Sequence, residues 1–437
     1  MPAAARGVRG SFGRGLAGVA AAGLALRVVY VTVLTPHLQG RGDSSYYHQL
    51  GTLIADGRGF VDPGNGTPTA LHPPLFPLVL ALGRELGLTS YRADRLVVCV
   101  LGTAAIVAVG LLARRVAGPR AGLIAAALAA VYPVLISADG SVMSETLLGL
   151  LVALAMLAAY TLLDRPAPWR AALLGALVGL AALARGEALF LLVLLVLPVC
   201  VRLPARRLLM LALAFMAAAA VLAPWTIRNA STFQRFVPIA TNEGNLIAGA
   251  NCHDTYYGRD IGSWQIACVP PGPVIDESVA AAHFRSAGLR YARKHTSRLL
   301  LVVPARLART FELLQPLRQA RHAEGRAYWI EVAGAIGFYL VAAGGLAGAV
   351  GLRRRGEGLA ILLAPVGLAV LASAIGYGVP RFRHPADIAL VVLAAVALSA
   401  APLARVSRGR GSAEPPGPAR RWPRRALARE PGRGPAA

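Results

Sequence analysis

Long apolar runs, separated by short stretches rich in arginine, make up most of the chain. Many of these runs approach the ~20 residues that an α-helix needs to cross the hydrocarbon core of a bilayer. The pattern therefore predicts an all-α polytopic membrane protein with about ten transmembrane helices. The ten predicted spans are residues 16–34, 96–112, 121–136, 145–163, 171–184, 188–201, 208–223, 328–351, 359–376 and 386–403.

The arginines between the apolar runs predict the orientation of the spans. The connections that follow the second, fourth, sixth and eighth spans each hold two or three arginines, such as Arg114, Arg115 and Arg120. Since short cytoplasmic loops carry an excess of Lys and Arg, these connections and both termini are placed in the cytoplasm. The predicted location is the plasma membrane, with the other loops on the extracytoplasmic side. Those outer loops are residues 39–95, 139–144, 185–187, 225–326 and 377–385.

This topology predicts five regions. The tail contains mainly Pro, Gly and Arg, and it is interpreted as a topology anchor attracted to anionic lipid rather than a specific partner site. Within the first outer loop, the short apolar stretches 46–56 and 74–86 predict helices on the membrane surface. The regions are a cytoplasmic tail 1–15, a transmembrane module 16–223 with the outer loop 39–95, a small extracytoplasmic α or α+β domain 224–327, C-terminal membrane helices 328–403, and a disordered basic cytoplasmic tail 404–437.

Composition agrees with a membrane protein and excludes a nucleic-acid-binding protein. Of the 437 residues, 56% are hydrophobic and 15% are charged, whereas soluble proteins carry about 25% charged residues. The formal net charge of +24 would favour nucleic acid as a partner. The arginines lie instead between spans and in the tail, without an aromatic-interleaved basic patch. Membrane lipids are therefore the predicted surroundings.

Two of the four cysteines predict a disulfide bond. Cys252 and Cys268 fall in the long outer segment, where the environment is oxidising, while Cys99 and Cys200 fall in predicted spans. A bond between Cys252 and Cys268 would stabilise the fold by roughly 3 kcal/mol in the chain-entropy model.

Carboxylates occur where the outer loops meet the predicted spans. Asp43 follows the first span and precedes Tyr46 and Tyr47, which could stack on a sugar. Asp43 could equally cap the helix predicted at 46–56, and Ser144 could cap the next span. The four carboxylates of this kind are Asp43, Asp139, Glu145 and Glu187.

Basic side chains occur on the same predicted face. His72 precedes Pro73 at the start of a predicted surface helix, where anions are favoured, although a lone histidine is more often structural. Arg185 could bind an anion or pair only with Glu187. A further pair of arginines lies on the outer side, against the orientation rule, which makes both functional candidates. These two are Arg381 and Arg383.

Acids and arginines together at a membrane surface suit sugar transfer from a lipid phosphate. Arginine forks bind the phosphate, and a carboxylate deprotonates the hydroxyl that attacks the anomeric carbon. A transporter or flippase of lipid-linked sugars is the alternative, since it could use the same pocket. The sequence shows no internal repeat and mostly uninterrupted spans, which disfavours transport. A structural scaffold would leave the clustering unexplained.

The order and sidedness of these motifs resemble the membrane glycosyltransferases of the GT-C superfamily. The similar group is the family 39-like one, which includes protein O-mannosyltransferases and the lipid A aminoarabinose transferase. The motifs that carry the resemblance are Gly42-Asp43-Ser44-Ser45-Tyr46-Tyr47, His72-Pro73-Pro74-Leu75, Ser144-Glu145, Arg185-Gly186-Glu187, Pro224-Trp225-Thr226-Ile227-Arg228-Asn229 and Arg381-Phe382-Arg383-His384-Pro385.

The resemblance implies a GT-C-like fold and an inverting transfer from a polyprenyl-phosphate sugar, with Asp43 as the catalytic residue. It implies donor-phosphate binding by His72, Arg381 and Arg383, which Arg185 joins by its chemistry. The candidate sugar ligands are Tyr46, Tyr47, Asp139, Glu145 and Glu187. No metal or other cofactor is expected. Asp43 is followed by serine where the O-mannosyltransferases have an Asp-Glu pair, and their inserted repeat domain is missing, so the acceptor stays open between glycan, lipid, protein and small molecule.

Overall fold

The computed structural model describes residues 3–271 and 276–400, with side chains from residue 11 onward. The described residues form α-helices and short 3₁₀ and π turns, and their only β-type pairing is an isolated bridge between Val61 and Pro68. The basic tail predicted at 404–437 lies outside the described residues. In chain order the α-helices are α1 Ala3–Val29, α2 Asp43–Ala55, α3 Leu75–Glu85, α4 Tyr91–Ala117, α5 Pro119–Val131, α6 Pro133–Asp139, α7 Glu145–Asp164, α8 Pro168–Ala184, α9 Leu197–Val201, α10 Arg207–Thr232, α11 Asn242–Ala250, α12 His253–Tyr256, α13 Glu277–Lys294, α14 Thr296–Thr310, α15 Pro316–Arg321, α16 Tyr328–Arg354, α17 Ala360–Ile375 and α18 His384–Ala400.

Six helical segments of the described chain are long and apolar enough to cross a membrane. Three further apolar helices are shorter, and one bent pair would add a seventh span. The predicted all-α polytopic architecture is confirmed, and the chain is a multi-pass membrane protein. The number of ten spans stays a prediction. The six segments are Ser11–Leu34, Tyr91–Ala117, Glu145–Asp164, Arg207–Thr232, Tyr328–Arg354 and Pro380–Ala400.

A proline divides the third predicted span. The helices α5 and α6 meet at Tyr132 and Pro133 with a bend of 60°. Proline has no amide hydrogen and its ring clashes with the carbonyl of the preceding turn, so a continuous helix is interrupted there. The bend leads the chain to Asp139 and Gly140 at the end of α6.

The first helix begins earlier than the sequence predicts. Residues 1–15 are predicted as a separate polar tail, but α1 already begins at Ala3 and its apolar span at Ser11. The alanine-rich start has a high helix propensity, so it extends the span instead of ending it.

Small residues let two pairs of helices pack closely. A Cβ atom added at Gly175 in α8 would clash with the carbonyl oxygen of Ala214 in α10. A Cβ atom added at Gly348 in α16 would clash with the carbonyl oxygen of Leu393 in α18. Association in lipid depends on such close van der Waals contact, because hydrocarbon chains surround each helix equally well.

Gly348→Ala is expected to destabilise the folded protein by about 1–3 kcal/mol, because the added methyl group overpacks the contact with α18. The matched control is Gly351→Ala, three residues further along the same helix, where nothing lies within 4 Å of an added Cβ. Thermal unfolding of the detergent-solubilised protein measures both changes. Equal unfolding temperatures for the two variants would contradict the packing explanation.

The two helices predicted in the first outer loop both form, as α2 and α3. A buried arginine ties them to α4, since Arg84 in α3 donates hydrogen bonds to both carboxylate oxygens of Asp94, at 2.8 and 2.9 Å. The same guanidinium donates to the carbonyl oxygen of His48 in α2 at 2.9 Å. These bonds fix the orientation of α2, which begins at Asp43.

The outer segment predicted as a separate domain at 224–327 is part of the same compact unit as the membrane helices. Its first residues continue α10, which ends at Thr232 instead of at residue 223. Arg306 in α14 donates to the carbonyl oxygen of Ala374 at the end of α17, and also to that of Ala250 at the end of α11. A buried arginine therefore joins the outer helices to a membrane helix, and the described part of this segment is helical, without strands.

The structure contains a disulfide bond between Cys252 and Cys268, the pair that the sequence predicts, with their Cα atoms 5.9 Å apart. The other two cysteines, Cys99 and Cys200, are buried in helices as free thiols. The bond closes a loop between α12 and the segment that leads to α13.

Candidate active site

An ion pair between residues 338 positions apart forms the centre of the polar cluster. Arg381 lies in a 3₁₀ turn that precedes α18, and its Nη1 donates to Asp43 Oδ2 at 3.0 Å. The other carboxylate oxygen of Asp43 is 3.5 Å from His72 Nε2. Asp43 therefore contacts both His72, from the same predicted outer loop, and Arg381, from the last predicted outer loop.

Asp43 does not cap its helix. The N-cap position of α2 belongs to Gly42, and no side chain caps it. Gly42 has φ of 54°, and a Cβ atom there would lie 2.8 Å from the carboxyl carbon of Glu324. A glycine is required at this turn, both for its backbone angle and for the close approach. The turn leaves the Asp43 carboxylate free to face Arg381.

The electrostatic surroundings keep Asp43 ionised. Burial alone would raise the pKa of the Asp43 carboxyl, but the positive charges of His72 and Arg381 and their hydrogen bonds hold this pKa below its usual range. The Asp43 side chain remains 31% exposed. It is therefore an anion at neutral pH that a ligand can reach.

His72 is held by aromatic rings. Its ring centre lies 5.3 Å from that of Tyr46 and 4.7 Å from that of Tyr47. Tyr47 also lines the cavity described below, whereas Tyr46 does not and shares a 3.0 Å hydrogen bond with Thr69. The structure places Tyr46 against His72 and outside the lining of this cavity, so its stacking on a sugar stays a prediction.

Arg185 links two of the predicted carboxylates. Its Nη1 donates to Glu145 at 2.9 Å, and its Nε donates to Glu187 at 2.6 Å. Glu145 is 1% exposed and also lies 4.0 Å from both Arg381 and Arg326. Because Glu145 holds arginines and does not line the cavity, its predicted contact with the sugar is corrected. Arg185 and Glu187 do line the cavity.

Asp139 lies away from the site. One of its carboxylate oxygens accepts from Arg27 Nε at 2.6 Å and the other accepts from Thr146 at 2.7 Å. Its side chain is 4% exposed and lines none of the described cavities. The structure does not bring Asp139 to the cluster, because one oxygen is in an ion pair with Arg27 and the other accepts from Thr146; sugar binding by Asp139 stays a prediction.

Arg383 also lies away from the cavity, in the buried interior. It donates to the carbonyl oxygen of Thr310 at 3.0 Å, and it lies 3.3 Å from both Glu312 and Asp387. Its guanidinium carbon is 3.8 Å from the ring centre of Phe338. The predicted phosphate contact is corrected, because this arginine is 1% exposed and neutralised by two acids.

The partner of Arg383 predicts a pH effect on stability. Burial raises the pKa of the Glu312 carboxyl to about 7, although Arg383 opposes the shift. The folded protein then holds this proton more tightly than the unfolded chain does, so stability falls as pH rises from about 4.5 to about 7. The expected upper bound is roughly 3 kcal/mol. In thermal unfolding, Glu312→Gln should not show this decrease in stability with rising pH. A variant with the same pH profile as the unaltered protein would contradict the assignment to Glu312.

Three residues of the cluster are not predicted from the sequence. Glu324 lies 3.5 Å from Arg381, and burial together with the charge of Asp43 raises the pKa of its carboxyl. The Tyr377 hydroxyl accepts from Arg381 Nη2 at 3.1 Å. The indole of Trp264 lies beside Tyr377, with ring centres 6.3 Å apart. Only Tyr377 gave a signal, since it lies in the same predicted outer turn as Arg381.

The cluster forms one end of a cavity of about 450 Å³, called here the first cavity. That volume falls in the range of small-molecule sites. Its polar end is lined by Asp43, His72, Arg185, Glu187, Glu324 and Arg381. Its apolar lining includes Phe190, Leu246, Ile247, Ala372 and Ile375. The cavity therefore suits an amphipathic ligand with an anionic group.

No group of three or more His, Cys, Asp or Glu side chains in the described residues could hold a metal ion. The absence of a metal and of other cofactors from the reaction stays a prediction.

Residues 71–227, about a third of the chain, match the family model described as dolichyl-phosphate-mannose-protein mannosyltransferase. The match includes the His72 and Arg185 motifs and ends before Arg381. No curated protein sequence matches the chain.

Among solved structures, the chain is similar to the Archaeoglobus fulgidus oligosaccharyltransferase tethered with an acceptor peptide containing the NVT sequon. The identity is 18% and the TM-score 0.52, over 88% of this chain and 49% of the other. The chain shares the fold of this structure. The resemblance predicted from the sequence is thereby confirmed.

The same archaeal enzyme, AglB, in complex with an inhibitory peptide and a dolichol-phosphate is 17% identical, with a TM-score of 0.51 over 88% of this chain and 50% of the other. The chain spans about half the length of these two structures. ArnT from Cupriavidus metallidurans bound to undecaprenyl phosphate is 16% identical, with a TM-score of 0.45 over 88% of this chain and 77% of that one.

Proposed function

We propose that the protein is a membrane glycosyltransferase that moves a sugar from a polyprenyl-phosphate donor to an acceptor hydroxyl or amine, with inversion. The observation that carries the proposal is the contact of Asp43 with Arg381 at the polar end of the first cavity. It brings a carboxylate that can accept a proton next to a guanidinium that can bind a phosphate.

The first cavity matches the two halves of such a donor. Its apolar lining suits the first units of the polyprenyl chain, and Arg381, Arg185 and His72 suit the phosphate. Arg381 Nε is buried and has no hydrogen-bond partner among the described residues, and it lies 4.0 Å from Glu145 Oε1. A buried donor without a partner is costly, and a phosphate oxygen would satisfy it. The dolichol-phosphate bound to the similar archaeal AglB supports a lipid-phosphate donor.

The ion pair between Asp43 and Arg381 also explains why donor binding would precede proton transfer to Asp43. While Arg381 holds Asp43, the carboxylate is a weak base, because its pKa is lowered. A donor phosphate competes for Arg381, which weakens that stabilisation and raises the basicity of Asp43. Asp43 then accepts the proton of the acceptor hydroxyl as its oxygen attacks the anomeric carbon. The bond from that carbon to the phosphate oxygen breaks, and polyprenyl phosphate leaves with the electron pair. A single displacement inverts the anomeric carbon.

The proposed reaction takes place on the extracytoplasmic face of the plasma membrane, with both termini in the cytoplasm. The arginine-rich connections after the even-numbered predicted spans support this orientation. Cysteine labelling from outside intact cells at position 187 and at position 354 tests it, and we expect labelling only at the first.

The function is tested with purified protein in lipid nanodiscs and radiolabelled polyprenyl-phosphate sugars. We expect acceptor-dependent release of polyprenyl phosphate, and NMR of the product should show the anomeric configuration opposite to that of the donor. A transporter or flippase would instead move the lipid-linked sugar across vesicle membranes without consuming it. Movement without release would overturn the enzyme proposal in favour of transport.

A further inference from the structure

A second cavity of about 390 Å³ lies next to the first. Its lining is more polar than that of the first cavity. The polar residues found in its lining and not in that of the first cavity include Asp260, Ser263, Gln265, Arg318, Gln319 and His322. Polar atoms make up a larger share of its surface than of the first cavity's surface, so the second cavity suits a more hydrophilic ligand.

The two cavities share one wall, which lies at the proposed reaction centre. Five residues line both of them: Met143, Trp264, Glu324, Tyr377 and Arg381. A ligand in the second cavity therefore meets a ligand in the first beside Arg381 and Glu324, next to the Asp43 carboxylate. This is the arrangement that a transfer between two bound molecules requires.

The charged lining of the second cavity comprises four arginines, Arg309, Arg318, Arg326 and Arg381, and three acids, Asp260, Glu324 and Glu331. Arg318 forms an ion pair with Asp260. Arg309 donates to the backbone carbonyl oxygens of Ile261 and Arg259, at 2.6 and 2.9 Å. Arg326 lies 3.9 Å from Glu331 and 4.0 Å from Glu145, so acids face most of these arginines, and a neutral polar ligand fits better than a strongly anionic one.

Several side chains of the second cavity could bind the hydroxyls and ring of a carbohydrate. The side-chain Nε2 of Gln265 donates one long hydrogen bond, at 3.4 Å, to Ser263 Oγ. The side-chain oxygen of Gln265 accepts no hydrogen bond from the described residues. His322 uses Nδ1 for the carbonyl oxygen of Arg318 and lies exposed at the rim. Trp264 and Tyr377 supply aromatic faces. Amides and an imidazole can bind hydroxyls, while aromatic rings contact the apolar face of a sugar.

The disulfide positions this wall. The loop between Cys252 and Cys268 carries Trp264 and Gln265, and the backbone N–H of Gln265 donates to the carbonyl oxygen of Gly249 at 3.0 Å. A side chain at Gly249 would clash with the Trp264 indole, so the glycine allows the ring to pack against α11. The cross-linked loop is thus a rigid support for the lining of the second cavity.

We propose that the second cavity is the acceptor site and that the acceptor is the end of a glycan, held as one or two sugar units with free hydroxyls. This inference rests on the proposed function and adds the acceptor class to it. The attacking hydroxyl points to the shared wall at Glu324 and Arg381. Gln265 and His322 bind the remaining hydroxyls, and Trp264 contacts the sugar ring.

Sugar binding is measured first without any donor, which separates this inference from the proposed function. Saturation-transfer NMR on the protein in nanodiscs uses methyl glycosides and disaccharides of mannose, glucose, galactose and arabinose. We expect at least one disaccharide to bind, and the double variant Gln265→Ala/His322→Ala to weaken its binding tenfold or more. The matched control, Gln49→Ala/His253→Ala, changes two exposed residues outside both cavities and should bind as the unaltered protein does.

A second measurement uses polyprenyl phosphate alone. Its binding should be the same in the double variant and in the unaltered protein, which shows that the variant is folded and that the first cavity is intact. The inference is overturned if no sugar of the panel binds, or if binding survives the double variant. It is also overturned if peptides with Ser and Thr, but no saccharide, accept the sugar. Sugar binding without release of polyprenyl phosphate from any donor would instead contradict the proposed function alone.

Discussion

Asp43→Asn is expected to lower the rate of sugar transfer by about 10²–10⁴-fold, the usual contribution of a general base. Asparagine has nearly the same shape, so the turn at Gly42 and the start of α2 should persist. The asparagine amide cannot take up the proton of the acceptor hydroxyl. The loss should appear in kcat, because the proton transfer is part of the chemical step. Binding of polyprenyl phosphate should be equal or tighter, because the neutral amide no longer competes with the phosphate for Arg381.

The measurement is steady-state release of polyprenyl phosphate by purified variants in nanodiscs. Asp254→Asn is the matched control, since Asp254 is exposed, contacts only His253 among the described charged residues and lines neither cavity. It should retain full activity. Transfer by Asp43→Asn within about threefold of the unaltered protein would remove Asp43 from the catalytic role. Weaker donor binding with unchanged kcat would make it a binding residue instead.

Replacing Arg381 is expected to have the second large effect, of about 10²–10³-fold on kcat/KM for Arg381→Gln. The variant removes the proposed phosphate ligand and leaves Asp43 without its ion-pair partner at 3.0 Å. Donor binding should weaken, in contrast to Asp43→Asn. Arg381→Lys keeps the charge but not the planar fork, so we expect an intermediate loss.

Binding of polyprenyl phosphate to nanodisc-embedded protein, followed by native mass spectrometry, measures this change. Arg259→Gln is the control, because Arg259 is exposed and lines neither cavity. Unchanged donor binding in Arg381→Gln would contradict the phosphate role.

Arg383→Gln should behave differently from Asp43→Asn and Arg381→Gln. We expect a loss of thermal stability, because the variant leaves the buried acids Glu312 and Asp387 without their cation.

Much of the architecture follows from patterns that are local along the chain. Hydrophobic run length predicts the membrane class and the approximate positions of the helices, and short apolar stretches predict α2 and α3. The Cys252–Cys268 pair follows from the location of the cysteines relative to the spans. The sequence also predicts a separate outer domain, whereas the structure places this segment in one compact unit with the membrane helices. Composition cannot show that Arg306 bonds to the end of α17.

Part of the candidate site also follows from the sequence, since Asp43, His72, Arg185 and Arg381 all line the first cavity. The direction in which a charged side chain points does not follow from the sequence. It differs between Arg381 and Arg383, although only one residue lies between them. One faces the cavity and the other faces buried acids.

By itself, therefore, the sequence determined that this is a helical membrane protein and which loops hold its acids and arginines, because run length, turn residues and charge are local properties. Only the tertiary structure decided which of them meet. Asp139 is neutralised by Arg27, 112 positions earlier in a predicted span, and Glu324 reaches Arg381 from a stretch without a motif. The physical reason is that ion pairing in a low dielectric depends on helix rotation and packing, which set distances between residues far apart in the chain.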